Sequence, residues 1–166
     1  YIIDLIVTPI SPFNKVSAII LSGITRGAIV GLLLYLFFFF FFDYSIFNIW
    51  IALLYFLLGS MLLASIGVIV SFYAETFDQM AAITSYTITP LSFLSGTFYS
   101  INALPGIWHD ITLFNPFFYL MDGFRYSMIG YHDEPLSNGI IYLVILNIIA
   151  YGTCYIFMKK KYRITS

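Results

Sequence analysis

The side chains in this 166-residue chain that are able to do chemistry are few and scattered. Asp122 and Arg125 stand three positions apart, the spacing at which two residues share one helix face and can pair as ions. His109-Asp110 and His132-Asp133-Glu134 are the other polar groupings. Adjacent side chains point in different directions, and no second cluster completes a metal-ligand set, so His132 to Glu134 is expected to be a solvated loop and His109-Asp110 is no stronger as a metal site. There is no glycine-rich phosphate loop ending in Lys-Ser or Lys-Thr, no HExxH, no paired-cysteine motif and no nucleophile elbow. The pattern therefore excludes ATP hydrolysis by this chain, and no cofactor, metal or nucleic acid is expected.

The elements that must position these residues follow from composition. Apolar residues make up 61% of the sequence and charged residues 9%, against roughly a quarter charged in soluble domains. Mean hydropathy is +0.94. The fold class is an all-α membrane protein. Helices crossing a hydrocarbon core need about 20 mostly apolar residues, and charge-poor stretches predict four transmembrane helices over residues 16–42, 47–73, 80–99 and 139–158. Residues 100–138 predict a re-entrant or interfacial helical hairpin on the outer side. Within it Asn115-Pro116 starts a helix, with Asn as cap and Pro in the first turn, and Gly130 ends it. A shorter helix over 107–113 precedes it. The single cysteine, Cys154, excludes an internal disulfide. The chain begins at Tyr1 without a signal-peptide pattern, and is expected to be the C-terminal part of a longer protein.

Orientation is read from basic residues, which mark the cytoplasmic side. Lys159, Lys160, Lys161 and Arg163 follow the last span, and Lys15 precedes the first. Four spans put both groups on the same side. Residues 1–15 are then a cytoplasmic segment, 16–158 the transmembrane domain and 159–166 a basic cytoplasmic tail. Asp43 faces out, and the turn holding Glu75 and Asp78 faces in.

Three patterns inside the spans carry alternatives. Gly23, Gly27 and Gly31 lie four apart and permit close helix approach, whether for plain packing or for packing within a transport bundle. Arg26 either reaches the headgroups with its long stem or meets a specific partner. Ser85, Thr89, Ser92 and Gly96 form a small polar stripe on the third span, with Pro90 removing a backbone donor in its middle. This describes either a transport-path or subunit-contact helix that bends, or a kinked packing helix. The Phe37 to Phe42 run fits a lipid-facing surface. Spans two, three and four hold no charge at depth, which a proton relay or ion-coupled carrier would need.

The run from Thr89 through Ser100 (TPLSFLSGTFYS), then Leu104-Pro105, Trp108, Asn115-Pro116 and Asp122-Gly-Phe-Arg125-Tyr, resembles the permease subunit of ABC type-2 exporters, the bacterial drug, polysaccharide and lipopolysaccharide export permeases. The resemblance extends over nearly the whole chain. It implies six spans in the whole protein, of which this chain holds the last four. Val7 through Pro12 resembles the cytoplasmic segment that contacts the ATPase, and Glu75 to Asp78 its short inner turn. The implied ATPase contacts are Leu5, Ile6, Val7, Pro9, Ser11, Glu75 and Asp78. The implied path or subunit contact is Ser85, Thr89, Pro90, Ser92 and Gly96. Asn115, Pro116, Asp122 and Arg125 belong to the outer re-entrant helix.

The resulting expectation is a bacterial inner-membrane permease that moves an amphipathic substrate using ATP hydrolysed by a separate subunit. Its implied partners are that ATPase, a second permease copy and membrane lipid. The alternatives are a membrane enzyme acting on lipid or glycan at the outer face, with Asp122, Asp110 or His109 as acid or base, and a non-transporting assembly protein.

Overall fold

The computed structural model describes residues 11–42, 45–97, 100–101 and 104–165. Six α-helices make up the described chain: α1 (Pro12–Phe42), α2 (Ile49–Tyr73), α3 (Phe77–Phe93), α4 (Ile107–Leu113), α5 (Pro116–Ile129) and α6 (Leu136–Thr165). No strand occurs among the described residues. Among them three helices are long and apolar enough to cross a membrane: Pro12–Phe41, Ile49–Tyr73 and Leu136–Lys160. The third expected span, residues 80–99, corresponds to α3, which has 17 residues and measures about 26 Å at 1.5 Å per residue. It is shorter than residues 80–99 suggested at its C-terminal end, because the chain leaves the helix after Phe93 and turns at Gly96, whose φ is +72°. Gly96 therefore does not continue the helical stripe of Ser85, Thr89 and Ser92. Its backbone sits where a side chain would be strained.

Helix ends follow local chemistry. Ser11 Oγ accepts the Asn14 N–H (3.3 Å) just ahead of Pro12, so a serine cap and a first-turn proline begin α1. Asn48 Oδ1 accepts from Trp50 and Ile51 at the start of α2. Thr76 caps α3 through Gln79 N–H (3.2 Å), and Gln79 Oε1 accepts Glu75 N–H (2.9 Å), which locks the short turn between α2 and α3. α6 starts at Leu136 and continues through the basic residues to Thr165, so the expected tail is a helical extension. Leu5, Ile6, Val7, Pro9 and Asp43 lie outside the described residues.

α2 is the centre of the bundle and packs against α1, α3, α5 and α6. One apolar cluster joins Val16 and Ile20 of α1, Val68 of α2, and Cys154 and Met158 of α6. The start of α1 thus meets the ends of α2 and α6, and α1 runs antiparallel to both. The second cluster, Tyr55, Leu62 and Leu143, lies toward the opposite end. Lys15 and Lys159 consequently flank the same end of the bundle. The glycine row on α1 faces α2: a Cβ at Gly23 would stand 2.9 Å from Ala64 Cβ, and one at Gly27 3.3 Å from Ser60 Oγ. The close approach that the spacing implied is made, and its partner is α2. Arg26 is exposed, as are Leu32, Leu33, Phe40 and Phe41 along the C-terminal part of α1.

Candidate functional site

The polar residues converge at the end of the bundle opposite Lys15 and Lys159. α4 and α5 follow one another through Phe114-Asn115. Asn115 Oδ1 accepts the Phe117 N–H (3.0 Å), Pro116 occupies the first turn, and Gly130 closes α5 at φ +76°. α5 lies along α2 in a definite sense. Phe117 and Leu120 flank Gly59, Ser60 and Leu63, whereas Ser127 accepts the Asn48 N–H (2.9 Å) with its carbonyl. The start of α5 is therefore deep in the bundle and its end level with the start of α2. Asn115 also works in the other direction: its Nδ2 donates to Leu91 O at 2.7 Å. Leu91 belongs to the last turn of α3, where carbonyls have no partner within the helix. One buried amide thus closes the end of α3 and the start of α5.

Asp133 is the hub of the site. Its Oδ1 accepts from Ser100 Oγ (2.6 Å) and Tyr131 OH (2.9 Å), and its Oδ2 from Ile101 N–H (3.4 Å) and Arg125 Nη1 (3.1 Å). The Asp133 side chain is fully buried. Burial pushes its carboxyl up, but the hydrogen bonds from Ser100, Tyr131, Ile101 and Arg125 outweigh burial and hold it below its ordinary value. The expectation of a solvated loop at 132–134 is thereby corrected. One carboxylate collects donors from two distant segments, which a residue-by-residue reading of the loop does not reveal.

The pairing of Asp122 with Arg125 is also redistributed. Their closest approach is 3.9 Å, longer than the 3.1 Å between Arg125 and Asp133. Asp122, 3% exposed, turns its two oxygens to the backbone N–H groups of Asp133 (2.8 Å) and Glu134 (3.1 Å). Arg125 spans the site, with Nη2 donating to Gly96 O while Nη1 holds Asp133. A guanidinium fork suits two acceptors at once.

Tyr55 is a residue that pattern reading missed. Its ring fills a slot made by Gly123 on α5, where a Cβ would overlap the ring, and its hydroxyl lies 3.0 Å from the Cβ position of Gly139 and donates to Leu136 O. The isolated Gly123 and Gly139 were the only available signal. Beside this slot an apolar groove of about 410 Å³ is lined by Gly31, Leu34, Tyr35 and Phe38 of α1 with Phe124 and Met128 of α5.

Other predicted residues are not gathered into the site. Ser85 and Thr89 are exposed, Ser92 returns its hydroxyl to Ile88 O (2.8 Å), and no residue of α3 is buried. Glu75 and Asp78 are exposed at the opposite end, beside exposed Tyr73 and Phe77. Asp110 is exposed and 3.5 Å from His109 Nδ1. Among the described residues no three of His, Cys, Asp and Glu gather as a metal set.

Long apolar helices joined by a polar clasp at one end fit a multi-pass membrane protein. The comparisons name its kind: the ABC-2 type transporter family matches residues 2–129, and the chain belongs to that family. It is 29% identical over 157 residues to the inner membrane transport permease YadH of Escherichia coli K12, covering 95% of this chain and 61% of that protein. It is also 31% identical over 101 residues to Nodulation protein J of Rhizobium leguminosarum bv. viciae, covering 58% of this chain and 38% of that one. The Rhizobium meliloti protein of the same name is 33% identical over 85 residues, 49% of this chain and 32% of that one. The chain thus spans about three fifths of the length of the first of these relatives. No solved structure matches it significantly.

Proposed function

We propose that this chain is the four-span C-terminal part of an ABC exporter permease in a bacterial inner membrane, the whole protein moving an amphipathic substrate (a drug, lipid or lipid-linked glycan) with ATP hydrolysed by a separate subunit. The observation that carries the reading is the ABC-2 family match over residues 2–129, laid on a bundle of long apolar helices. In this reading α1, α2, α3 and α6 are the four spans and α4–α5 the re-entrant hairpin. The placement of Phe117 beside Leu63, well below Asn48, supports a hairpin that dips into the bilayer. Polar backbone at such depth is tolerated where protein surrounds it, as Asn115 and its two bonds provide.

The clustering of Val16 with Met158 supports a common side for Lys15 and Lys159, which the basic residues assign to the cytoplasm. There the segment holding Leu5, Ile6, Val7, Pro9 and Ser11, with the turn holding Glu75 and Asp78, contacts the ATPase. α3, with no buried residue and with Ser85 and Thr89 exposed, lines the path or meets a second permease copy through Ser85, Thr89, Pro90 and Ser92. Transport follows from switching the helices between inward- and outward-facing states when the ATPase turns over. Asp122 spends both oxygens on backbone amides, which leaves the outer-face enzyme reading without a free acid there.

The test is copurification of the full-length protein with its ATPase subunit and ATP-dependent transport in vesicles, for wild type and Ile6→Asp. An unpaired charge in a protein contact is disfavoured. The variant is expected to insert normally, lose the ATPase and lose transport. A wild-type protein that binds no ATPase and moves no amphipathic cargo overturns the proposal.

A further inference from the structure

α3 is held unlike the other long helices. None of its residues is buried, so side-chain packing does little to fix it. Its inner end is tied by the short capped turn to α2. Its outer end is tied by two side chains of α5 that reach main-chain carbonyls: Asn115 Nδ2 to Leu91 O, and Arg125 Nη2 to Gly96 O. Both donors are themselves fixed. Asn115 is 3% exposed and also caps α5, while Arg125 is braced by Asp133. The chain just beyond is held to the same hub through Ser100 and Ile101.

Pro90 lies within the last turn of α3. A proline there removes the donor to the carbonyl four residues back, so the side-chain bonds to Leu91 O and Gly96 O do more of the work of holding this end. A helix loosely packed along its length and pinned at this end will carry whatever it is pinned to.

We infer that Asn115 and Arg125 are positioning residues that make the end of α3 and the α4–α5 hairpin one rigid outer body, so that displacement of α3 moves the hairpin with it. The inference rests on the permease reading for its use, since the ATPase would supply the displacement. The linkage itself is a property of this chain. It assigns the outer polar residues to transmission rather than to binding of cargo.

The experiment is dipolar electron paramagnetic resonance on the full-length protein in lipid nanodiscs, with spin labels at Thr89→Cys and Asp110→Cys in a Cys154→Ser background. Both label positions are exposed. Wild type is expected to give one narrow distance, the same without nucleotide and with ATP and the ATPase bound. Asn115→Ser keeps a capping oxygen for α5 but cannot reach Leu91 O. Arg125→Lys keeps the charge facing Asp133 but loses the fork. Each variant is expected to lose the single narrow distance, while a control pair at Leu57 and Ile145 in α2 and α6 stays sharp. The inference is overturned by a broad distance in wild type, by variants that keep the narrow one, or by broadening of the control pair, which would make the two residues general supports of the fold. A pair that keeps its narrow distance in a protein that binds no ATPase would sink the permease reading and leave the linkage standing.

Discussion

Two residues show how single side chains set local structure here. Gly123 admits the Tyr55 ring against the backbone of α5, and a methyl group there would overlap it. Overpacking of this kind costs about 1–3 kcal/mol, so Gly123→Ala should lower the thermal unfolding midpoint in detergent. Adding Tyr55→Leu should recover part of the loss by vacating the slot, and an unchanged midpoint in the single variant would show that the ring sits elsewhere. Asp133 makes a second prediction, through pH. Its folded-state carboxyl is held below its ordinary value of 3.8 by four donors. Its contribution is therefore fully present above about pH 4 and fades as pH falls through the lowered folded value. Wild type should lose stability on acidification below that point. Asp133→Asn, which starts less stable by on the order of 2 kcal/mol because it gives up charge-assisted bonds, should lose less over the same range. Parallel acid-unfolding curves for the two proteins would contradict this.

At the scale of elements, α3 separates what the sequence makes legible from what it does not. Helix starts and stops are local chemistry, so Asn115-Pro116 and Gly130 place α5 at its observed ends. Apolar runs likewise place α1, α2 and α6, and four-residue glycine spacing signals close packing. The C-terminal end of α3 is not local. Gly96 looks like one more small residue at helical spacing, yet it stands in a turn held by Arg125 from 29 positions away. The same limit hid Asp133, whose partners at Ser100 and Ile101 are more than 30 positions distant. What remains exposed on α3 yields a prediction about use. Its hydroxyls at Thr84 and Ser92 return to carbonyls of the same helix, so lipid contact would be tolerated. If this face instead lines a path or meets a second copy, a bulky group should obstruct it. Ser85→Trp in the full-length protein should reduce transport at least about tenfold, the effect of little more than 1.4 kcal/mol at a contact or barrier, with expression unchanged. Leu33→Trp on the exposed face of α1 should leave transport as it is. Equal activity of the two would assign the α3 face to lipid.

For the whole molecule, the decisive property is which end of the bundle faces which compartment. The structure gives the relative order: the start of α1 and the end of α6 share the cluster of Val16, Ile20, Cys154 and Met158, and the starts of α2 and α6 lie at the opposite end with the hairpin. It follows that an even number of crossings separates Lys15 from Lys159 if the chain passes through a bilayer along this axis. Basic residues near span ends favour the cytoplasm, and Lys159 and Lys160 are exposed where a surface of lipid headgroups would meet them. Lys159 also stands 6.0 Å from the centre of the Tyr155 ring, an aromatic–cation pair suited to that interface. The opposite end carries Ser137, exposed in the first turn of α6. Single cysteines at Ser137→Cys and Lys160→Cys, in a Cys154→Ser background that keeps a donor facing Ser65 O, should therefore report opposite compartments. An impermeant thiol reagent applied to sealed cells should modify position 137 and leave position 160 untouched until the membrane is opened. Modification of both from outside would put the two positions on one side, with an even number of crossings between them, and would remove α6 as a span. Modification of 160 alone would invert the bundle and place the hairpin, the Asp133 hub and the outer end of α3 on the cytoplasmic face.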